Sequence, residues 1–276
     1  MHRPLRRRTT AIAFTLVLLA VAPSFAQLVC PEGMAQVDDF CIDRWEAHLV
    51  GQTPYEVPTS GVAATGPGTV PQGYISGVVA SNACIAAGKR LCTSVEWLRA
   101  CRGPGNTIYP YGNSYVAGRC NDTRPEHPII TLFGSFIESE INNPLLNQLP
   151  DSVDPTGANA QCVSAEGVYD LHGNLEEWIA DAAGTFRGGD YVEAALNGPG
   201  CLNVTTAHNT LHHEFTTGFR CCAEPVPPAP EIPAIGPGGV AALCALLLLG
   251  SAVGVWWRRR ESNPRPHGVQ PTRLRV

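Results

Sequence analysis

The chain has 276 residues, 44% hydrophobic and 16% charged, with 11 cysteines and a formal charge of −5, a composition that excludes a disordered or collagen-like protein. Arg3, Arg6, Arg7 and Arg8 fall in residues 1–26 and six more arginines follow residue 257, so residues 27–257 hold nine basic against 23 acidic groups, a charge of −14. Such a body repels a phosphate backbone, which argues against nucleic acid as a partner, and suits a surface that holds cations.

In chain order, the apolar stretch Ala11 to Val21 follows the first arginines and is closed by Pro23, Ser24, Phe25 and Ala26. Small residues three and one before the cut make residues 1–26 a secretory signal peptide, removed after Ala26. Its apolar core is short for a retained span, which needs about 20 residues. Residues 27–223 form a body of a size at which one domain buries its own core.

Residues 30–50 alternate apolar and polar around Phe40 to Trp45 and predict a strand, and residues 51–74, rich in Gly, Pro and Thr, predict a loop. A helix is expected from Ser76 to Ala87, with Val79, Ala83 and Ala87 on its core face and Gly88 as its C-cap. A second begins at Thr93, whose hydroxyl forms a capping box with Glu96; Val95, Leu98 and Cys101 are expected to face the core before Arg102 and Gly103 end it. Beyond that point, frequent Gly, Pro and Asn predict only short strands and long loops.

Residues 224–237 begin with the proline-rich run Glu224 to Pro233 and predict a stiff spacer. Gly238 to Trp257 then offers twenty residues without a charge, closed by Trp256, Trp257 and the arginines Arg258, Arg259 and Arg260. Length, aromatic belt and positive charge predict one membrane-spanning helix over 238–257, with residues 258–276 a basic cytoplasmic tail. The layout resembles C-terminal sorting signals of the exosortase type, although this chain continues past the arginines. The body is thus expected outside the cytoplasm, at the cell surface or in a periplasm, anchored to the membrane.

Cys244 lies in the apolar segment, which leaves ten cysteines in the body. An even number behind a signal peptide implies up to five disulfides; zinc would call for a CxxC pair followed by another, and there is none.

One set of motifs occurs in a fixed order: Phe40 to Glu46, Ala87 to Leu91, Glu96-Trp97, Arg102-Gly103, Tyr109 to Asn113, Gly134 to Phe136, Gly167 to Trp178, Arg187 to Gly189 and Gly218 to Cys221. Over residues 34–223 the chain resembles the formylglycine-generating enzymes and the wider sulfatase-modifying-factor family. The resemblance implies an α+β fold related to C-type lectins, with two helices, small sheets and long calcium-braced loops, and makes residues 137–166 an insertion. It further implies disulfides between Cys84 and Cys221 and between Cys101 and Cys201. For the other cysteines we infer Cys30 with Cys41, Cys92 with Cys222, and Cys120 with Cys162; a vicinal Cys221–Cys222 bond is the strained alternative.

The resemblance also implies calcium, held by the side chains of Asp170 and Glu177 and the carbonyls of Gly173 and Leu175, with Asn121 beginning a second site. Without the family, Asp170 and Glu177 read as solvated acids beside a tight Gly-Asn turn. At the catalytic centre the family carries two cysteines whose thiolates bind copper, and here those positions hold Glu193 and Gly198. His208 and His212 would share a metal on a helix, but no helix signal surrounds them and a polar loop is the better reading. We therefore assign no catalytic residue. The preferred expectation is a non-catalytic surface module presenting the loops between Arg187 and Gly218 to a glycan or an envelope protein. The alternative is a formylglycine-generating oxidase that uses copper and oxygen on a sulfatase cysteine.

Overall fold

The computed structural model describes residues 28–228. The segments expected as a signal peptide (1–26), a membrane-spanning helix (238–257) and a tail, and most of the spacer, lie outside the described residues. Among the described residues, no helix is long and apolar enough to cross a membrane.

The segment expected as one strand is three: β1 (Met34–Val37), β2 (Phe40–Asp43) and β3 (Ala47–Leu49). Asp38 takes the left-handed conformation, φ 50°, and the chain reverses there so that Val37 lies opposite Phe40 in an antiparallel hairpin. Periodicity of two continues through a tight turn, which is why the pattern alone did not show the break. β4 (Ala63–Thr65) falls within the expected loop and pairs with β3. β5 (Arg90–Leu91) and β10 (Cys221–Ala223) complete a first sheet of order β1-β2-β10-β5. A second four-stranded sheet joins β6 (Glu176–Trp178), β7 (Phe186–Arg187), β8 (Val204–Thr205) and β9 (Thr217–Phe219) in the order β8-β7-β6-β9, with β6 and β9 parallel.

Helix α1 (Gly77–Ala86) is capped by Ser76, whose hydroxyl accepts from the Val79 N–H, and Gly88 follows its end at φ 71°. Its buried face is Gly77, Ala80, Ala83 and Cys84, and Val79 and Ala87 are only partly buried. Small residues win because the helix lies against the Trp178 ring: a Cβ on Gly77 would stand 3.0 Å from Trp178 Cε3. Helix α2 (Ser94–Arg102) has both halves of its capping box. Its core face is Trp97, Ala100 and Cys101, whereas Val95 is 78% exposed. Two stripes two residues apart fit the same helical period. Burying Trp97 removes the larger apolar area, and its indole N–H meets Glu177 inside the protein. A third helix, α3 (Pro128–Phe133), was not expected; the His127 ring nitrogen caps it, Pro128 opens it and Gly134 closes it at φ 75°.

Five disulfides join Cys30 to Cys41, Cys84 to Cys221, Cys92 to Cys222, Cys101 to Cys201 and Cys120 to Cys162. These are the pairs named from the sequence. Three close loops of 100 residues or more, where a crosslink removes the most freedom from the unfolded chain. The body also runs past residue 223: Val29 and Val226 exchange backbone hydrogen bonds of 2.8 and 2.9 Å, tying its first and last described segments.

Candidate functional site

The second sheet sends two adjacent glutamates to opposite faces, as a strand's alternation requires. Glu177 points to Arg220, the residue between β9 and β10, which is fully buried. Arg220 Nε donates to Glu177 Oε2 at 2.6 Å, its Nη2 donates to Oε1, and the Trp97 indole donates to Oε2 at 2.7 Å. The guanidinium also donates to the carbonyls of Asp43 and Tyr169. Two further acids face this cation. Burial, with the charges of Asp170 and Glu177, pushes the Glu46 carboxyl well above its usual range. Burial likewise raises Asp170 to about 6, against the Gly157 N–H that it accepts and the Arg220 charge.

This arrangement does not fit the calcium ligands expected at Asp170, Gly173, Leu175 and Glu177. Calcium wants about six to eight oxygens, and both oxygens of Glu177 are already taken by Arg220 and Trp97. One Asp170 oxygen accepts from the Gly157 N–H. Asn121, expected to open a second site, donates instead to the Ser152 carbonyl and to Asn174 Oδ1, and its own carbonyl lies where a Cβ of Gly173 would sit. Among the described residues, no three of His, Cys, Asp and Glu gather in a way that holds a metal ion. At Glu177 a positive charge is supplied by the chain itself, through Arg220.

Glu176 points the other way, into the loops after β7. Its Oε1 accepts from the Thr205 hydroxyl of β8. After Arg187 the chain turns through Gly188 and Gly189, at φ 97° and 69°, and a Cβ on Gly189 would stand 2.6 Å from the Ala194 backbone. Only glycine permits that closure. It places Asp190 so that Oδ1 accepts the N–H groups of Val192 and Glu193. Asp190 and Glu214 line a cavity of about 240 Å³ together with His127, Phe136, Phe215 and Leu196. Burial, with the neighbouring Glu214 and Glu193 charges, raises Asp190 to about 6 despite its two backbone donors. Burial, with the Asp190 charge, raises Glu176 to about 8. Burial also acts to raise Glu214, but His212 and the Thr216 hydroxyl outweigh it and hold this carboxyl low. Among the described residues no lysine or arginine is paired with these three acids, and His212 lies 3.4 Å from Glu214.

Residues 24–225 match the sulfatase-modifying factor enzyme 1-like domain. The chain belongs to that family. Among solved structures, PvdO from Pseudomonas aeruginosa is 17% identical at a TM-score of 0.44, covering 72% of this chain and 90% of its own. The Major Tropism Determinant I1 variant is 13% identical at a TM-score of 0.46, over 72% of this chain. This chain spans 54% of the length of that variant. CarF is 17% identical at a TM-score of 0.41, covering 67% of this chain and 86% of its own. No curated protein matches the sequence.

Set against the chemistry that the resemblance implied for the sulfatase-modifying-factor family, the two copper positions differ in kind. Glu193 is exposed on the rim of the Asp190 cavity. Gly198 lies at φ 129°, and a Cβ there would stand 2.9 Å from the Leu202 carbonyl oxygen, so a cysteine side chain has no place in this loop as folded. Cys201, nearby in sequence, is bonded to Cys101. His208 and His212 are not helical; their rings stack at 3.8 Å beside Phe186. Sequence reasoning did not single out Glu46, Glu176, Asp190, Glu214 or Arg220 as site residues. Glu46 and Arg220 each sit in a family motif, and Asp190 directly follows Arg187-Gly188-Gly189, which was the available signal.

Proposed function

We propose that this protein is a non-catalytic member of its family, an extracytoplasmic module that binds a glycan or another envelope protein through the loops between Arg187 and Gly218. The observation that carries this reading is that all ten cysteines of the described residues are in disulfides. The two thiolates that a copper oxidase of this family employs therefore have no counterpart in the body. Copper(I) favours soft sulfur ligands, and an exposed glutamate and a glycine do not replace them. The Asp190 cavity is a concave feature of those loops, and its carboxylates beside Phe136 and Phe215 suit hydrogen-bond donors or a cationic group. The disulfide framework is in keeping with an oxidising compartment, and in this proposal the apolar segment 238–257 anchors the body to a membrane.

The test is an assay of the purified full-length chain in detergent, with copper, oxygen and a peptide containing Cys-x-Pro-x-Arg. No formylglycine is expected by mass spectrometry; conversion above a copper-only control overturns the proposal. Binding to a glycan array or to envelope extract should then fall when Asp190 is replaced by Asn.

A further inference from the structure

A second cavity, of about 500 Å³, shares no lining residue with the Asp190 cavity. One wall comes from the turn after α2 and the Tyr109 to Asn113 motif, and the other from residues 160–165, within the stretch that the family resemblance implies is an insertion. The disulfide Cys120–Cys162 clamps the two walls together. Arg119 and Gln161, which both line the cavity, each immediately precede one of its half-cystines.

We propose that this cavity binds an acidic sugar, a ring bearing a carboxylate or a sulfate group. Two arginines line it, and no carboxylate does. Arg102 uses Nε and Nη2 on the carbonyls of Thr107 and Asn106, at 2.9 and 2.8 Å, which fixes its guanidinium without neutralising it. Arg119 lies with its guanidinium carbon 4.8 Å from the centre of the Tyr111 ring, and its Nε is buried without a hydrogen-bond partner. Neither arginine has an ion-pair partner among the described residues; Arg44, Arg124 and Arg187 share that state, but none of them lines this cavity. Glu166, the nearest acid in sequence to the lining residues of the insertion, is paired with Arg99.

In a body as acidic as this one, two uncompensated guanidiniums in one cavity are a specific oxyanion signal, because the planar fork matches carboxylate and sulfate geometry. The rest of the lining suits a ring that carries hydroxyls. Tyr111, Pro110 and Val163 offer apolar surface, and Thr107, Gln161 and Ser164 offer polar groups. The volume lies within the range of roughly 300–1,000 Å³ usual for small-molecule sites. Because the disulfide holds both walls, little ordering cost attends binding.

The experiment titrates the full-length chain in detergent with galacturonate, galactose 6-sulfate, galactose and inorganic sulfate, by calorimetry or saturation-transfer NMR. At least one acidic sugar should bind and galactose should not. Arg119→Gln should weaken that binding roughly tenfold or more, and Arg119→Lys, which keeps the charge and loses the fork, should recover only part of it. Ala160→Trp, at an exposed position on the cavity wall, tests occlusion independently of Arg119 and should abolish binding. Glu193→Gln, on the rim of the other cavity, should leave it unchanged, so failure here is separate from failure of the loop proposal. Equal binding of galactose, inorganic sulfate binding as tightly as the sulfated sugar, no binding of either acidic sugar, or Arg119→Gln and Ala160→Trp both without effect would each overturn the proposal.

Discussion

Glu176 and Glu177 are neighbours on β6, both buried, and they meet opposite circumstances. Glu177 enters a closed set of partners in which Arg220 meets both of its oxygens and Trp97 donates a further hydrogen bond. Glu176 enters a group with Asp190 and Glu214 that holds three carboxylates and, among the described residues, no arginine or lysine partner. On the first face Glu177 has its own counter-charge, and Glu46 and Asp170 crowd the same cation with their carboxyls pushed up by burial. The second face lacks an arginine or lysine partner among the described residues, opens into a cavity, and lies among the loops after β7.

The comparison breaks most visibly at Arg220. Arg220→Met leaves Glu177 buried without its counter-charge, with Glu46 and Asp170 beside it, and should cost about 3–5 kcal/mol in denaturant unfolding of the disulfide-intact chain. A cost below about 1 kcal/mol would show that the two faces do not differ as described.

The Asp190 face is sharpened by pH. Burial raises Asp190 from the usual 3.8 to about 6, so the folded state keeps a proton that the unfolded state releases in that window. Its contribution to stability is fully present below 3.8 and is lost as pH rises through about 6. Asp190→Asn should remove that part of the decline, raising stability at pH 7 relative to the parent by on the order of 1–2 kcal/mol and leaving it little changed near pH 4. Parallel pH profiles of the two proteins would contradict this.

Chelation comes next. If Arg220 rather than a metal neutralises the acids around Glu177, EGTA should leave the melting temperature unchanged, and a fall of more than about 3 °C would place a metal in the loop after all. The smallest effect is expected at Val95, where replacement by Lys should change stability by no more than about 0.5 kcal/mol because the side chain already faces solvent.

The sequence by itself determined what is local or countable. The caps at Ser76 and Thr93, the glycine after α1 and the even set of body cysteines follow from residues adjacent in the chain or from arithmetic, and the order of motifs determined the family. Tertiary structure alone decided which stripe of α2 is buried, that a third helix starts at His127, and that Glu177 turns to Arg220. Arg220 lies 43 residues from Glu177 and 177 from Asp43, whose carbonyl it also binds. Which charge answers which is settled by desolvation inside the assembled core, and no spacing along the chain encodes that.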